Sequence, residues 1–264
     1  MTLDGRPIDT RYRSENHDSR VRYIIIHFTQ LDFARSVEVL TDNEGRRRVS
    51  SHYLVGVDPP TIFRLVDEDR RAWHAGQSFW RGDTQLNSSS IGIEIVNLGD
   101  DASPNKEYAD FPAAQIDAVI SLVRDIARRH QIPAHRILGH SDIAPQRKTD
   151  PGPKFPWQRL ADAGLVPWLD PEAVRAATGP HETSLPPIGW FQQQLDAVGY
   201  EVPRHGEFDE ATRRVIANFQ MKYRPARYDG LPDAETAALL EVASRPNGWL
   251  IRGPEGLWRP YRPD

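Results

Sequence analysis

The sequence predicts an α/β (α+β) domain, with a mixed central sheet flanked by helices, followed by a second, small all-α domain of three helices. Three observations carry that expectation. Short β-branched runs alternate with amphipathic stretches over residues 18–170, a stretch of Pro, Gly and small polar residues follows at 171–185, and from 186 to 245 only helical patterns occur. At 264 residues, with 39% hydrophobic and 27% charged content, the chain has room for one domain of ordinary size and a smaller one.

Residues 1–17 form a polar lead. The first strand is expected in "VRYIIIHF" (21–28), the next two in "SSHYLVGV" (50–57) and "TIFRLV" (61–66), and a fourth in the alternating "SIGIEIVN" (90–97). "DFARSVEVL" sets Phe33, Val37 and Leu40 at helical spacing. "PAAQIDAVISLVRDIARRH" places Ile116, Val119, Ile120, Val123 and Ile126 on one stripe, opened by Pro112. Residues 171–185 read as a linker. In the second domain "IGWFQQQLDAVGY" ends at Gly199, a C′ glycine, while Asp209 and Asp233 stand as N-caps of the two following helices. The tail, 246–264, mixes Trp, Pro, Gly and Arg and fits either a surface-draped or a disordered segment.

A net charge of −4 and a pI near 6.1 argue against a general nucleic-acid binder, which needs a basic surface to neutralise phosphates. No apolar run approaches the roughly 20 residues that span a bilayer, and the N-terminus lacks the apolar core of a signal peptide. A cytosolic protein and one whose targeting segment has been removed both fit. With no cysteine, any transition-metal site must be built from His, Asp and Glu.

"HSDIAPQRKTDPGPKF" (140–155) concentrates ionisable residues where Pro145, Pro151, Pro153 and Gly152 prevent a helix, so it reads as a loop carrying His140, Lys148 and Asp150. His27 closes the first strand on the face of Tyr23 and Ile25. A lone histidine there is more often a satisfied core residue than a ligand. Glu94 changes that reading, because it stands mid-strand on the face opposite Ile91, Ile93 and Ile95, either exposed or lining a cleft. In a cleft, desolvation raises its pKa and suits it to take a proton from water. Two histidines, an aspartate, a glutamate and a lysine together match the inventory of a mononuclear zinc hydrolase.

"YIIIHFT", "SSHYLV", "RAWHAG", "LNSSSIGIEIVN" and "GHSDIAPQRKTDPGPKFPW", in this order and spacing, resemble the zinc-dependent N-acetylmuramoyl-L-alanine amidases of the AmpD and AmiD type. The resemblance runs over nearly the whole chain, and "FQMKYRPARYDG" with "DAETAALL" resembles the peptidoglycan-binding helical domain of such enzymes. It implies a zinc amidase domain over 18–170 and a peptidoglycan-binding-like domain over 186–245. It further implies one Zn2+ per chain on His27, His140 and Asp150, Glu94 as general base, Lys148 as oxyanion stabiliser, and a structural Asp142. His74 and Asn87 fall in family motifs near the cleft and are expected to contact substrate or to support the ligands. Phe28 departs from the tyrosine usual in the family.

The implied reaction is cleavage of the amide between N-acetylmuramic acid, or its anhydro form, and L-alanine of the peptidoglycan stem peptide. The partners are then peptidoglycan and muropeptides, and the location is the periplasm, with an outer-membrane lipoprotein as the full-length form. The helical domain is expected to contribute binding and no chemistry, unless it packs against the first domain and supports its fold. The competing class is a non-catalytic muropeptide receptor, which loss of a metal ligand would favour. A zinc peptidase acting within the stem peptide shares the same chemistry and differs in its products.

Overall fold

The chain buries the predicted apolar residues on both faces of one central sheet. The computed structural model describes residues 2–263 other than 4, 5, 8, 13, 17, 43, 46, 47 and 103–106, so the predicted polar lead lies partly outside the described residues. Five strands form this sheet: β1 (Tyr23–Phe28), β2 (Tyr53–Val55), β3 (Ile62–Arg64), β4 (Ser90–Ile95) and β5 (Ile137–Gly139), in the order β3-β2-β4-β1-β5. All neighbours are parallel except the antiparallel β2–β3 edge, which makes the sheet mixed as expected. Helix α1 (Phe33–Thr41), capped by Asp32, follows β1 and buries Leu40, whereas Phe33 stays at the surface beside Phe63. Helix α2 (Ala113–His130) starts after Pro112 and lays Ile116, Val119, Val123 and Ile126, all fully buried, against Ile24, Ile26, Ile91, Ile93 and Ile95 of the sheet.

Beyond β5 come the short α3 (His140–Ile143) and α4 (Trp157–Asp162), then a strand, β6 (Trp168–Leu169). The loop expected over 140–155 is corrected at its start, where one helical turn ahead of Pro145 carries His140, and holds for the residues after it. The expected linker is corrected. Most of residues 171–185 form helix α5 (Pro171–Thr183), opened by the Asp170 N-cap with Pro171 in its first turn. Pro180 stands inside the last turn, where it leaves the Ala176 carbonyl without its helical donor, and Ala177 packs into the core. The three predicted helices follow as α6 (Ile188–Val198), α7 (Glu210–Tyr223) and α8 (Ala234–Ser244). Gly199 ends α6 at φ +133°, a conformation that disfavours any side chain. Asp209 accepts from the Thr212 N–H at 2.7 Å and Asp233 from the Thr236 N–H at 2.8 Å, the two expected caps. The tail is ordered: β7 (Trp249–Arg252) and β8 (Trp258–Tyr261) form a hairpin paired to β6, anchored by the buried Trp249.

Sheet and helical region share one core. Tyr23, Ile25, Leu138 and Ile143 belong to the same buried cluster as Phe191, Leu195, Tyr200, Val215 and Phe219. The helices therefore cover the sheet face opposite α2, the face on which His27 stands.

Candidate active site

Chemistry-bearing side chains collect where the parallel strands end, the edge at which open α/β sheets bind ligands. His27 of β1 and Glu94 of β4 are register partners on adjacent strands, and His140 follows β5 directly. The loop after α3 returns Asp150 to them, its carbonyl accepting from the Ser141 N–H at 2.8 Å. His27 Nδ1 and His140 Nδ1 lie 2.9 Å apart, and each is 3.1 Å from Asp150 Oδ2. All three side chains are buried.

The neighbouring hydrogen bonds decide which ring nitrogens carry protons. Ser90 Oγ donates to the Leu86 carbonyl at 2.6 Å and so accepts from His74 Nε2 at 3.2 Å. His74 Nδ1 is then bare and accepts from His27 Nε2 at 3.0 Å, which leaves His27 Nδ1 a lone pair. His140 Nε2 faces the Ala75 carbonyl at 3.2 Å and, further off, the Arg147 guanidinium at 3.4 Å, which donates to that same carbonyl; with Nε2 donating to the carbonyl, His140 Nδ1 is bare too. Two imidazole lone pairs and a carboxylate oxygen thus point at one another. They repel unless a cation lies between them, and N, N and O donors from neutral histidines and an aspartate suit a zinc-like ion. Burial, with the charge of His140 second, holds the His27 imidazole down to about 4, which keeps it neutral near pH 7.

Glu94 stands beside this cluster with Oε2 buried and without a hydrogen-bond partner among the described residues. Burial, and then the negative charge of Asp150, pushes its carboxyl well above the usual range, while Lys148 pulls the other way. Glu94, Lys148, His74, His140 and Asp150 line one open cleft of about 400 Å³, walled by Phe28, Leu31 and Trp73. Trp73 is partly exposed there, whereas Trp80 and Trp157 are core.

The structure therefore brings together His27, His140, Asp150, Glu94, Lys148 and His74. Asn87 is not among the residues that line the cleft: its Oδ1 accepts from the backbone N–H groups of His74 and Ala75, at 3.1 and 2.7 Å, which braces the "WHAG" turn and fits the supporting role, the other of the two expectations for it. Sequence reasoning missed Ser90 and Gly92. A Cβ on Gly92 would lie 2.4 Å from the His74 ring, so only glycine lets that ring rest on β4. The sole local signal for either was their small size within a run of isoleucines.

His74→Ala removes the acceptor for His27 Nε2 and frees the ring to turn. We expect metal affinity to fall about 10–100-fold, as for other partners that orient a liganding histidine. Competition with a chromogenic chelator measures it, and wild-type affinity would show that the Ser90–His74 relay does not orient His27.

Bare nitrogens sharing one point with a carboxylate, next to a desolvated glutamate, are the parts of a hydrolase built around a cation. Residues 17–153 match the family model Amidase_2, N-acetylmuramoyl-L-alanine amidase, and residues 184–240 match a putative peptidoglycan binding domain. The chain is 43% identical to the N-acetylmuramoyl-L-alanine amidase AmiD of Escherichia coli (strain K12) over 251 residues, covering 90% of this chain and 88% of that one. Its fold is similar to the solved complex of the E. coli amidase AmiD with anhydro-N-acetylmuramic acid-L-Ala-D-gamma-Glu-L-Lys, with a TM-score of 0.80, 41% identity, and 91% and 95% of the two chains covered. It is also similar to AmpDh3 from Pseudomonas aeruginosa in complex with anhydromuramic pentapeptide, with a TM-score of 0.80, 38% identity, and 89% and 96% covered. This chain belongs to the Amidase_2 family of N-acetylmuramoyl-L-alanine amidases.

Proposed function

We propose that this chain hydrolyses the amide bond between the lactyl group of N-acetylmuramic acid, or of its anhydro form, and the L-alanine of the stem peptide, with one zinc ion held by His27, His140 and Asp150. The observation that carries this reading is the convergence of the three acceptors beside the partnerless Oε2 of Glu94. The muropeptide complexes of the two structural relatives supply the substrate class. Zinc supplies Lewis acidity toward the lactyl carbonyl and acidifies water.

The chain's own groups do the rest. Glu94, kept dry, accepts a proton from the attacking water and passes it to the alanine nitrogen as the C–N bond breaks. Lys148, across the cleft, offers a positive charge to the oxyanion. His27 stays neutral, and both imidazoles are held in orientation by their Nε2 hydrogen bonds. The presence of His27, His140, Asp150, Glu94 and Lys148 around one cleft supports an enzyme over a receptor.

The helical region is read as the unit that holds murein, in line with its match to a putative peptidoglycan binding domain. A periplasmic location would put the chain where that polymer lies, the outer-membrane anchor is the expectation that comes with the family resemblance, and fractionation of cells expressing the natural gene tests both. Among the described residues no helix is long and apolar enough to cross a membrane.

Digestion of purified sacculi with and without chelator, followed by mass spectrometry, tests the reaction itself. Chelator-sensitive release of peptides beginning with L-alanine is the expected result, and products cut within the stem peptide would replace the amidase with a peptidase. Lys148→Ala should lower kcat about 10²–10³-fold, the range for loss of one oxyanion donor, with KM little changed. An effect on KM alone would mean that Lys148 grips a substrate carboxylate instead.

A further inference from the structure

One stripe of helix α7, Ala211, Arg214, Asn218 and Lys222, follows the spacing of a single helix face and meets the loop that carries His140, Lys148 and Asp150. At one end, Lys222 Nζ lies 2.7 Å from Asp142 Oδ2, both side chains almost fully buried, and over the Trp157 ring at 4.2 Å. Asp142 also accepts from the Gly139 N–H at 2.8 Å and the Tyr200 hydroxyl at 2.6 Å, so it ties the backbone next to His140 to two side chains of the helical region. In the middle, the buried Asn218 Nδ2 donates to the carbonyls of Pro145, at 3.0 Å, and Lys148, at 3.3 Å. At the other end Arg214 donates to the Gln146 carbonyl at 2.8 Å, and the Gln146 side chain returns a bond to the Ala211 carbonyl at 3.0 Å.

The loop's own turns leave these carbonyls to other partners, and α7 supplies them. The loop is therefore braced from α7. We propose that α7, inside the region that matches a peptidoglycan binding domain, is a positioning element of the active site: Lys222 through Asp142 sets the ligand His140, and Asn218 sets the backbone that carries Lys148. The inference rests on the roles given above to His140 and Lys148. It makes the helical region necessary for turnover of small soluble muropeptides, which a unit that only binds murein would not be.

The two ends of the stripe act on different quantities, and that separates positioning from general support of the fold. In full-length protein, Lys222→Met should weaken zinc binding about 10–100-fold in chelator competition, with Lys222→Arg restoring most of it. Asn218→Ala should keep wild-type zinc affinity and KM while lowering kcat on a soluble anhydromuropeptide about 10-fold or more, since small displacements of a reacting group are costly. Because Lys222→Met leaves a buried carboxylate without its cation, the Asp142→Asn/Lys222→Met pair is measured beside it, with thermal unfolding on every variant. Wild-type zinc affinity in folded Lys222→Met, or wild-type kcat in folded Asn218→Ala, overturns the proposal. So does loss of both quantities in step with loss of folded protein. Should the wild-type chain itself leave the muropeptide intact, the reading of its reaction fails, and the zinc arm still decides whether α7 sets His140.

Discussion

His140→Ala should leave a folded protein that no longer retains metal and no longer releases stem peptides. The side chain supplies one of three acceptors that share a single point, and the other two, His27 Nδ1 and Asp150 Oδ2, stand 3.1 Å apart. Two donors cannot close a site that needs three protein ligands and one open position. Removing the ring also frees the Ala75 carbonyl, but Arg147 already donates to that oxygen, so the surrounding loop keeps a partner. Elemental analysis of dialysed protein reads the metal content, and circular dichroism reads the fold. Stoichiometric zinc in folded His140→Ala would falsify the ligand set.

Glu94→Ala should do the opposite, keeping the metal and losing turnover. Its Oε2 is buried without a partner among the described residues, and its carboxyl is displaced upward first by burial and then by the negative charge of Asp150. A carboxylate with one oxygen buried and unpartnered is a strong proton acceptor once ionised, and loss of such a base lowers kcat about 10²–10⁴-fold. Because only the ionised form accepts a proton, wild-type activity should fall as pH drops through the Glu94 pKa, and Glu94→Gln should lose that limb together with its rate. The folded protein should be no less stable, since alanine removes a desolvated group that nothing satisfies. Steady-state rates on a soluble muropeptide across pH, with metal content measured in parallel, check both statements. Near-normal rates in a zinc-loaded Glu94→Ala protein would place the base elsewhere.

Much of the site was legible in one dimension because its residues sit where local rules put them. His27 ends an isoleucine-rich strand, Glu94 interrupts the alternation of another, and the proline-rich segment concentrates charges, of which Asp142 and Arg147 prove to brace the backbone. The quoted motifs then identified the family. Asn87 shows the limit. It lies in a family motif beside the cleft in sequence, yet its side chain turns to the backbone of His74 and Ala75, and only the path of the intervening chain decides which way it turns. The linker expectation failed for a related reason: Gly179 and Pro180 read as breakers, but α5 packs its alanines into the shared core, and burial outweighs local propensity.

By itself the sequence determined the β-branched runs of the central sheet, the capped helices α6 to α8 and the absence of thiolate ligands, because periodicity, capping and composition act over a few neighbouring residues, while the candidate site residues came from the resemblance of its motifs to a family. Tertiary structure alone decided the proton arrangement that leaves two bare nitrogens facing Asp150, since His27 and His74 are 47 residues apart and their tautomers depend on each other. It alone decided that the tail closes as a hairpin on β6, and that Lys222 holds Asp142 from 80 residues away. Each of these is a contact between chain segments whose separation exceeds any local pattern, so it exists only once a common core has brought the segments together.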